Sequence, residues 1–509
     1  MRRLRSVCLY GTTLLCVFFL SHLFVRFGGR EKNDVSKKYV PTQSRESRES
    51  GLPNIVFIMA DDLGWGDVGY HDSIIKTPNI DRLASEGVKL ENYYGSTWCA
   101  PSRLNLMTGR YRIHTGLYGD VCDFMALSET TVAEKLREAG YYTALVGKWH
   151  LGGFYNTECN PPQRGFDTFF GYLGGCHGYY THRRGGPRAK YDLFANDTAV
   201  GPDYEGQYST FIFTKEAQRI VEQHSKRPTE QPLFLYLSYQ AVHTPLEVPE
   251  EYENIYKNVI EDDDRRIYAA MTTCMDEAIG NVTETLKSTG LWENTVLIFS
   301  SDNGATPSGG GSNWPLRGHK GVWYEGGIRL VSFVTSPLLT DQVKGTVNNE
   351  LIHMTDWFKT MLYLAKGNLK GTKPLDGYNQ WETISMGKTT DRKEILHNLI
   401  PGDQADTEGS IDGFFDRMPF ATLRVGKWKL LTGNIVNEGS WTKPAEMGFH
   451  IYGPGNHGSI ELYNIEEDPE ERNNLAQTNT VKLRELYRTL QRYSATINKD
   501  VLQVEPVVE

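Results

Sequence analysis

The sequence predicts an α/β protein with a large wound domain and a smaller C-terminal region. Three observations carry this. Apolar runs alternate with helix-like stretches from Pro53 onward, and four of these runs end in polar, chemistry-bearing residues. After about Asp391 the texture changes to glycine-rich stretches with short alternating runs, such as Phe420–Val425 and Trp428–Leu431. At 509 residues and 39% hydrophobic content the chain can bury a large core. A formal net charge of −9 and the lack of any long basic run argue against nucleic acid as a partner. An anionic ligand therefore requires a local basic pocket.

The N-terminal residues read as a targeting region. Residues 1–5, with Arg2, Arg3 and Arg5, form a cytoplasmic tail, and Ser6–Val25 is an apolar stretch without Asp, Glu, Lys or Arg. It is longer than most cleaved signal cores and no small-x-small cleavage site stands out, which favours an uncleaved signal anchor over a signal peptide. Residues 26–50 are polar and charged and read as a flexible stem. Cys8 and Cys16 belong to the apolar stretch, leaving Cys99, Cys122, Cys159, Cys176 and Cys274 on the luminal side. Five is odd, and four of them could form two disulfides in an oxidising compartment, with three connectivities for a given four. Asn196-Asp-Thr198 and Asn281-Val-Thr283 are glycosylation acceptors that fit the same compartment.

Asn54–Ala60 is continuous, as for a strand buried on both faces, and ends in Asp61-Asp62-Leu-Gly-Trp-Gly-Asp67. Tyr141–Val146 ends in Gly147-Lys148-Trp-His150, and Pro232–Tyr239 leads to His243-Thr-Pro245. Thr295–Ser301 ends in Asp302-Asn303-Gly304. Singly, each is an ordinary turn, a structural histidine or a solvated charge. Jointly they predict one site, because ligands of open α/β sheets sit beyond the carboxyl ends of the strands.

Two adjacent carboxylates plus an Asp-Asn pair are hard oxygen ligands, with no cysteine or histidine cluster of zinc type. That set points to calcium, with magnesium as the alternative. Between the first two runs lies Cys99-Ala-Pro-Ser-Arg103, followed by Leu104-Asn-Leu-Met-Thr-Gly109. Pro101 suits a first helical position and Gly109 a helix stop, so Cys99 leads into a short helix whose free N–H groups favour an anion. Arg103 and Lys148 add fixed positive charge. The stretch after Gly309-Gly-Gly311, with Arg317, Lys320 and Arg329, brings a second basic cluster to the strand ends. A final amphipathic helix is expected over Val481–Ile497, with Leu483, Leu486, Tyr487, Leu490 and Tyr493 on one face.

Cys99-x-Pro-Ser-Arg103 resembles the sulfatase signature. Together with the segments above, the chain is similar to the sulfatase family, and most to its arylsulfatase B group. The similarity runs from about Asn54 to Glu382 and reappears around Lys427–Gly433 and Glu461–Arg472. The resemblance implies an alkaline phosphatase-like catalytic domain over residues 51–391, with a mixed, mostly parallel sheet. It also implies a small domain of antiparallel sheet and helix over residues 392–509. It implies that the formylglycine-generating enzyme converts Cys99 to formylglycine, which binds calcium together with Asp61, Asp62, Asp302 and Asn303. Arg103 and His150 would hold the modified side chain, Lys148 and Lys320 would grip sulfate, and His243 would protonate the leaving oxygen. Cys122 would pair with Cys159.

The implied substrate is a sulfated carbohydrate, with N-acetylgalactosamine 4-sulfate of glycosaminoglycans the suggestion of the arylsulfatase B group. The implied location is the secretory pathway: lysosome, Golgi or cell surface, as a secreted or type II membrane protein. Two other readings stand beside an active sulfatase. One is a phosphoester hydrolase of the same superfamily, although such enzymes often carry Asp-His where this chain has Asp302-Asn303. The other is a membrane-tethered binding protein without turnover. The chain departs from the arylsulfatase B pattern in its fewer cysteines and in Cys274, where that pattern has none.

Overall fold

The first apolar run forms β1 (Asn54–Ala60), with all seven residues buried. It is central to a ten-stranded sheet in a computed structural model. The structure describes residues 51–115, 124–153, 156–185, 189–227, 231–400, 420–433, 439–448, 450–452 and 460–497. The sheet continues with β2 (Val88–Leu90), β3 (Tyr142–Lys148), β4 (Thr168–Tyr172), β5 (Phe194–Ala195) and β6 (Thr198–Ala199). It is completed by β7 (Leu233–Ser238), β8 (Thr295–Ser301), β9 (Ser332–Thr335) and β10 (Thr346–Asn348). The spatial order is β10-β2-β9-β8-β1-β7-β3-β4-β5-β6.

The five strands from β8 to β4 run parallel. Strand β9 is antiparallel to β8 and β2, and β5 to β4. The sheet is therefore mixed and mostly parallel at its centre. Its parallel strands are apolar on both faces because helices cover both. Val56 and Ile58 pack with Ile80 and Leu83 of α1 (Pro78–Glu86), and with residues of α4 (Ser209–Ser225) and α5 (Asp263–Ser288). Ile55, Phe57 and Met59 face the other way. They meet Leu104 and Met107 of α2 (Cys99–Thr108), Leu136 of α3 (Val132–Glu138), and Trp357 and Met361 of α6 (Asp356–Leu364).

The C-terminal region adds a four-stranded antiparallel sheet: β11 (Glu394–Ile400), β12 (Phe420–Val425), β13 (Trp428–Thr432) and β14 (Ile460–Asn464). Helix α7 (Thr480–Ser494) buries Leu483, Leu486 and Leu490 against it, on a leucine stripe at helical spacing. The expected helix thus ends three residues early, at Ser494, and Tyr487 and Tyr493 pack only partly.

Two expectations need correction. Helix α2 begins at Cys99 with Trp98 as its N-cap, so Pro101 sits in the first turn and not at the first position. The stop is as expected: Gly109 adopts φ 67°, which a side chain would strain. Cys176 and Cys274 are free thiols, so the second disulfide allowed by counting does not form between them. Cys159 is disulfide-bonded, while Cys122 lies outside the described residues, as do the tail, apolar segment and stem of residues 1–50. No helix among the described residues is long and apolar enough to cross a membrane.

Candidate active site

Strands β1, β3, β7 and β8 deliver their C-terminal residues to one place, as the sheet order requires. The β1 end supplies Asp61 and Asp62, the β8 end Asp302 and Asn303, and α2 brings Cys99 and Arg103 beneath them. The ligand atoms of Asp61, Cys99 and Asp302 all lie within 4.8 Å of one another, and so do those of Asp61, Asp62 and His243. Asp62 and His150 both adopt φ 58°, a left-handed conformation that costs a non-glycine residue of order 1–3 kcal/mol and persists where its surroundings impose it.

The site is charged on every side, yet closed. Arg103 has no exposure; its guanidinium donates to Asp302 Oδ2 at 2.8 and 3.2 Å and to Ser238 Oγ at 2.5 Å. Lys148 donates to Asp61 Oδ2 at 2.5 Å, and Lys320 to the two Asp62 oxygens at 2.9 and 3.0 Å. Asn303 Nδ2 donates to Asp62 Oδ1 at 2.6 Å. His243 donates from Nδ1 to the Thr244 carbonyl at 2.7 Å, which leaves Nε2 3.7 Å from Asp62 Oδ2.

Burial and charge set the ionisation of these groups. Burial would raise Asp61, but Lys148, His243 and Arg103 together hold it below the usual carboxylate range. Asp302 goes the other way: burial and the neighbouring Asp61 charge push it up despite Arg103 and Lys148. Burial, reinforced by Lys148 and Arg103, drives His150 well below its ordinary value, and its Nδ1 is buried with no partner. Burial also raises the Cys99 thiol against the pull of Lys148 and Lys320. A cysteine so protonated is not poised as a thiolate nucleophile.

The residues present fit a hard divalent cation. Asp61 Oδ1 and Asn303 Oδ1 are buried with no hydrogen-bond partner, although buried polar oxygens are nearly always satisfied. Both belong to the expected oxygen-ligand set, and the raised Asp302 reports an acidic pair that positive charge would relieve.

The residues expected to bind metal, hold sulfate or act on it meet at one place, while the remoter members of the second basic cluster do not. Arg317 is buried and bound to Glu461 at 3.2 Å, the Tyr463 hydroxyl at 2.8 Å and the Gly439 carbonyl at 2.6 Å, so it fastens the C-terminal sheet. Arg329 donates to the Glu91 carbonyl at 2.6 Å and lies over the Trp65 ring. Of the three basic residues named there, Lys320 is the one that pairs with Asp62.

Residues that sequence patterns did not single out complete the frame. Asp67 accepts from the backbone N–H of Ser312 and of Gly64, from the Tyr268 hydroxyl and from Arg265. It thus ties the loop after β1 to α5 and to the loop that carries Lys320. Asp67 closes the Asp61–Asp67 segment, but its side-chain partners Arg265 and Tyr268 lie about two hundred residues away and leave no local signal. The acceptor Asn196 is exposed at the turn between β5 and β6, and Asn281 is exposed on α5.

Comparison with known proteins agrees with this geometry. The Sulfatase family profile matches residues 53–367. Arylsulfatase J of Mus musculus is 47% identical over 464 residues, covering 87% of this chain and 76% of that protein. N-acetylgalactosamine-6-sulfatase of Homo sapiens is 32% identical over 368 residues, covering 67% of each. Among solved structures, Ps i-CgsB in complex with k-i-k-neocarrahexaose superposes with a TM-score of 0.72 at 29% identity, covering 88% of this chain and 94% of that one. With a profile match over more than half its length, this chain belongs to the sulfatase family and is a sulfuric ester hydrolase.

Proposed function

We propose that the protein removes sulfate from a sulfated sugar, using a formylglycine made from Cys99 and one calcium ion held by Asp61, Asp62, Asp302 and Asn303. The observation that carries this reading is the buried meeting of Asp61, Cys99 and Asp302, whose ligand atoms lie within 4.8 Å of one another beside two unpartnered oxygens. When bound, the cation supplies positive charge to a sulfate oxygen, and the formylglycine supplies the nucleophilic oxygen.

The chain's own residues do the rest. Arg103, fixed by Asp302 and Ser238, and His150 orient the side chain at position 99. His150, whose Nδ1 is buried without a partner, is the candidate acceptor for a proton from that side chain. Lys148 and Lys320 neutralise Asp61 and Asp62; with a cation held on those carboxylates, both ammonium groups would be available to the sulfate. His243 lies half-buried at the mouth, its Nδ1 anchored on Thr244, and its Nε2 delivers the proton to the departing alcohol oxygen.

The maturation and location readings follow. Cys159 pairs with Cys122, Asn196 and Asn281 carry glycans, and the chain acts in the secretory lumen. The sugar is N-acetylgalactosamine sulfate, a reading supported by the name of the human relative and by the arylsulfatase B resemblance. Mass spectrometry of the peptide containing Cys99, with desulfation assays over a panel of sulfated sugars, tests the whole. An unmodified thiol in active protein would overturn the formylglycine reading. Activity on the panel that survives exhaustive chelation would overturn the calcium.

A further inference from the structure

We propose that Trp98 is the platform on which the ring of the substrate's leaving group stacks, and so a specificity-determining residue. The proposal rests on the reading above that sulfate is held between Cys99 and Lys320. Of the chain's ten tryptophans, Trp98 alone is exposed, at 48%, while the adjoining Cys99 is 6% exposed. A large indole facing water beside a closed polar pocket is an unfilled contact surface.

Its placement is built. Trp98 is the N-cap of α2, with extended backbone (φ −135°, ψ 154°), which turns its side chain out of the helix that carries Cys99. The facing loop closes on it: Gly321 N–H donates to the Thr97 carbonyl at 2.9 Å. At Gly321 the backbone has φ 91°, and an added Cβ would stand 3.1 Å from the indole. Only glycine lets the loop lie so close. The ammonium of Lys320 sits 5.5 Å from the indole centroid and 2.9 Å from Asp62, so one lysine spans the indole and the acidic residues.

The consequence is geometric and chemical. A sulfate bound at Lys320 and position 99 has its bridging oxygen, and the carbon beyond it, directed out of the closed pocket, where the exposed indole lies. One face of a pyranose is a sheet of C–H groups, and an aryl ring is apolar on both faces. Either can cover the indole and remove apolar surface from water. The walls identified around the sulfate are charged, so the indole supplies the complementary apolar contact.

The test uses the matured full chain with 4-nitrophenyl sulfate and N-acetylgalactosamine monosulfates as ring-bearing probes, and inorganic sulfate as a ringless inhibitor. For Trp98→Ala we expect KM for both ring-bearing probes to rise about tenfold, kcat to change less than twofold, and the inhibition constant of sulfate to stay within twofold. Trp98→Phe recovers most of KM, whereas Trp98→Leu, which keeps bulk without an aromatic face, recovers little. An unchanged KM in Trp98→Ala, or full recovery in Trp98→Leu, would overturn the platform. A sulfate inhibition constant that rises in step with KM would do the same. If the alanine variant does not fold, the phenylalanine and leucine variants decide alone. Lack of turnover by the parent protein on every probe would instead count against the proposed function.

Discussion

The Tyr268 hydroxyl lies 2.8 Å from the Asp67 carboxylate, and the same oxygen lies 2.9 Å from the Asp62 carbonyl. Both side chains are buried. Helix α5 thereby holds the backbone of a metal-ligand candidate through a residue with no role in the reaction itself.

Tyr268→Phe keeps the ring in the core and deletes these hydrogen bonds. The Asp67 carboxylate loses a partner and the Gly64 N–H loses an acceptor at 3.3 Å, at a cost of about 1–3 kcal/mol. We expect thermal unfolding a few degrees lower and calcium affinity reduced several-fold, read from the shift of the unfolding temperature with added calcium. A variant with unaltered calcium dependence would separate Tyr268 from the site.

The limits of the sequence are visible in these residues. Strands β1 and β8 match the expected runs because continuous apolar residues end abruptly at aspartates. Strand β3 continues to Lys148, which pairs in register with Tyr172, past a Gly147 that reads as a breaker. At Gly147 a Cβ would stand 1.9 Å from the Ser238 carbonyl, so the glycine permits close strand approach and does not end the strand. Arg317 resembled a site residue because its basic loop follows a ligand candidate, but its partner Glu461 is 144 positions away. Local pattern places polar groups at strand ends. It does not say which of them are consumed by pairing within the fold.

Asp302 and Arg103 are both fully buried, so removing the carboxylate leaves a guanidinium without its 2.8 Å partner. Asp302→Ala is expected to abolish hydrolysis and to cost about 3–5 kcal/mol. Its unfolding temperature should no longer rise on adding calcium, because an oxygen ligand is lost. Retained activity, or a retained calcium shift, would contradict the assigned set.

His177 gives the fold a pH dependence of calculable sign. Burial, with His182 nearby, lowers it to about 3, and it is held by the Asp192 carbonyl at 2.8 Å and the Ser209 hydroxyl at 3.3 Å. The unfolded chain binds a proton near pH 6.5 that the folded state refuses, so stability falls as pH drops from about 6.5 towards 3. One such group contributes a slope of about 1.4 kcal/mol per pH unit in that window. Asp276, raised by burial to about 6, works in the opposite sense, so the measurement is a difference between variants. His177→Gln should flatten stability against pH between 6 and 4 relative to the parent, measured by denaturant titration. Equal slopes would show that His177 is protonated in the fold.

Cys99→Ser separates aldehyde chemistry from ordinary nucleophilic catalysis. Cys99 is a free, buried thiol, and serine is close in size, so the variant should fold and keep its calcium-dependent unfolding temperature. A hydroxyl between Arg103, Lys148 and Lys320 has the surroundings to attack sulfur once, with His243 protonating the departing alcohol. The product is a sulfate ester of a primary alcohol. It has no second oxygen on the same carbon whose deprotonation, with His150 as acceptor, would expel the sulfate. Release would then require water to attack an inert ester within a closed pocket. We therefore expect turnover to be lost, with at most one equivalent of sulfate transferred to the peptide spanning position 99, weighed by mass spectrometry. Repeated turnover by Cys99→Ser would show that a single hydroxyl suffices, and that this site works as an ordinary serine esterase would.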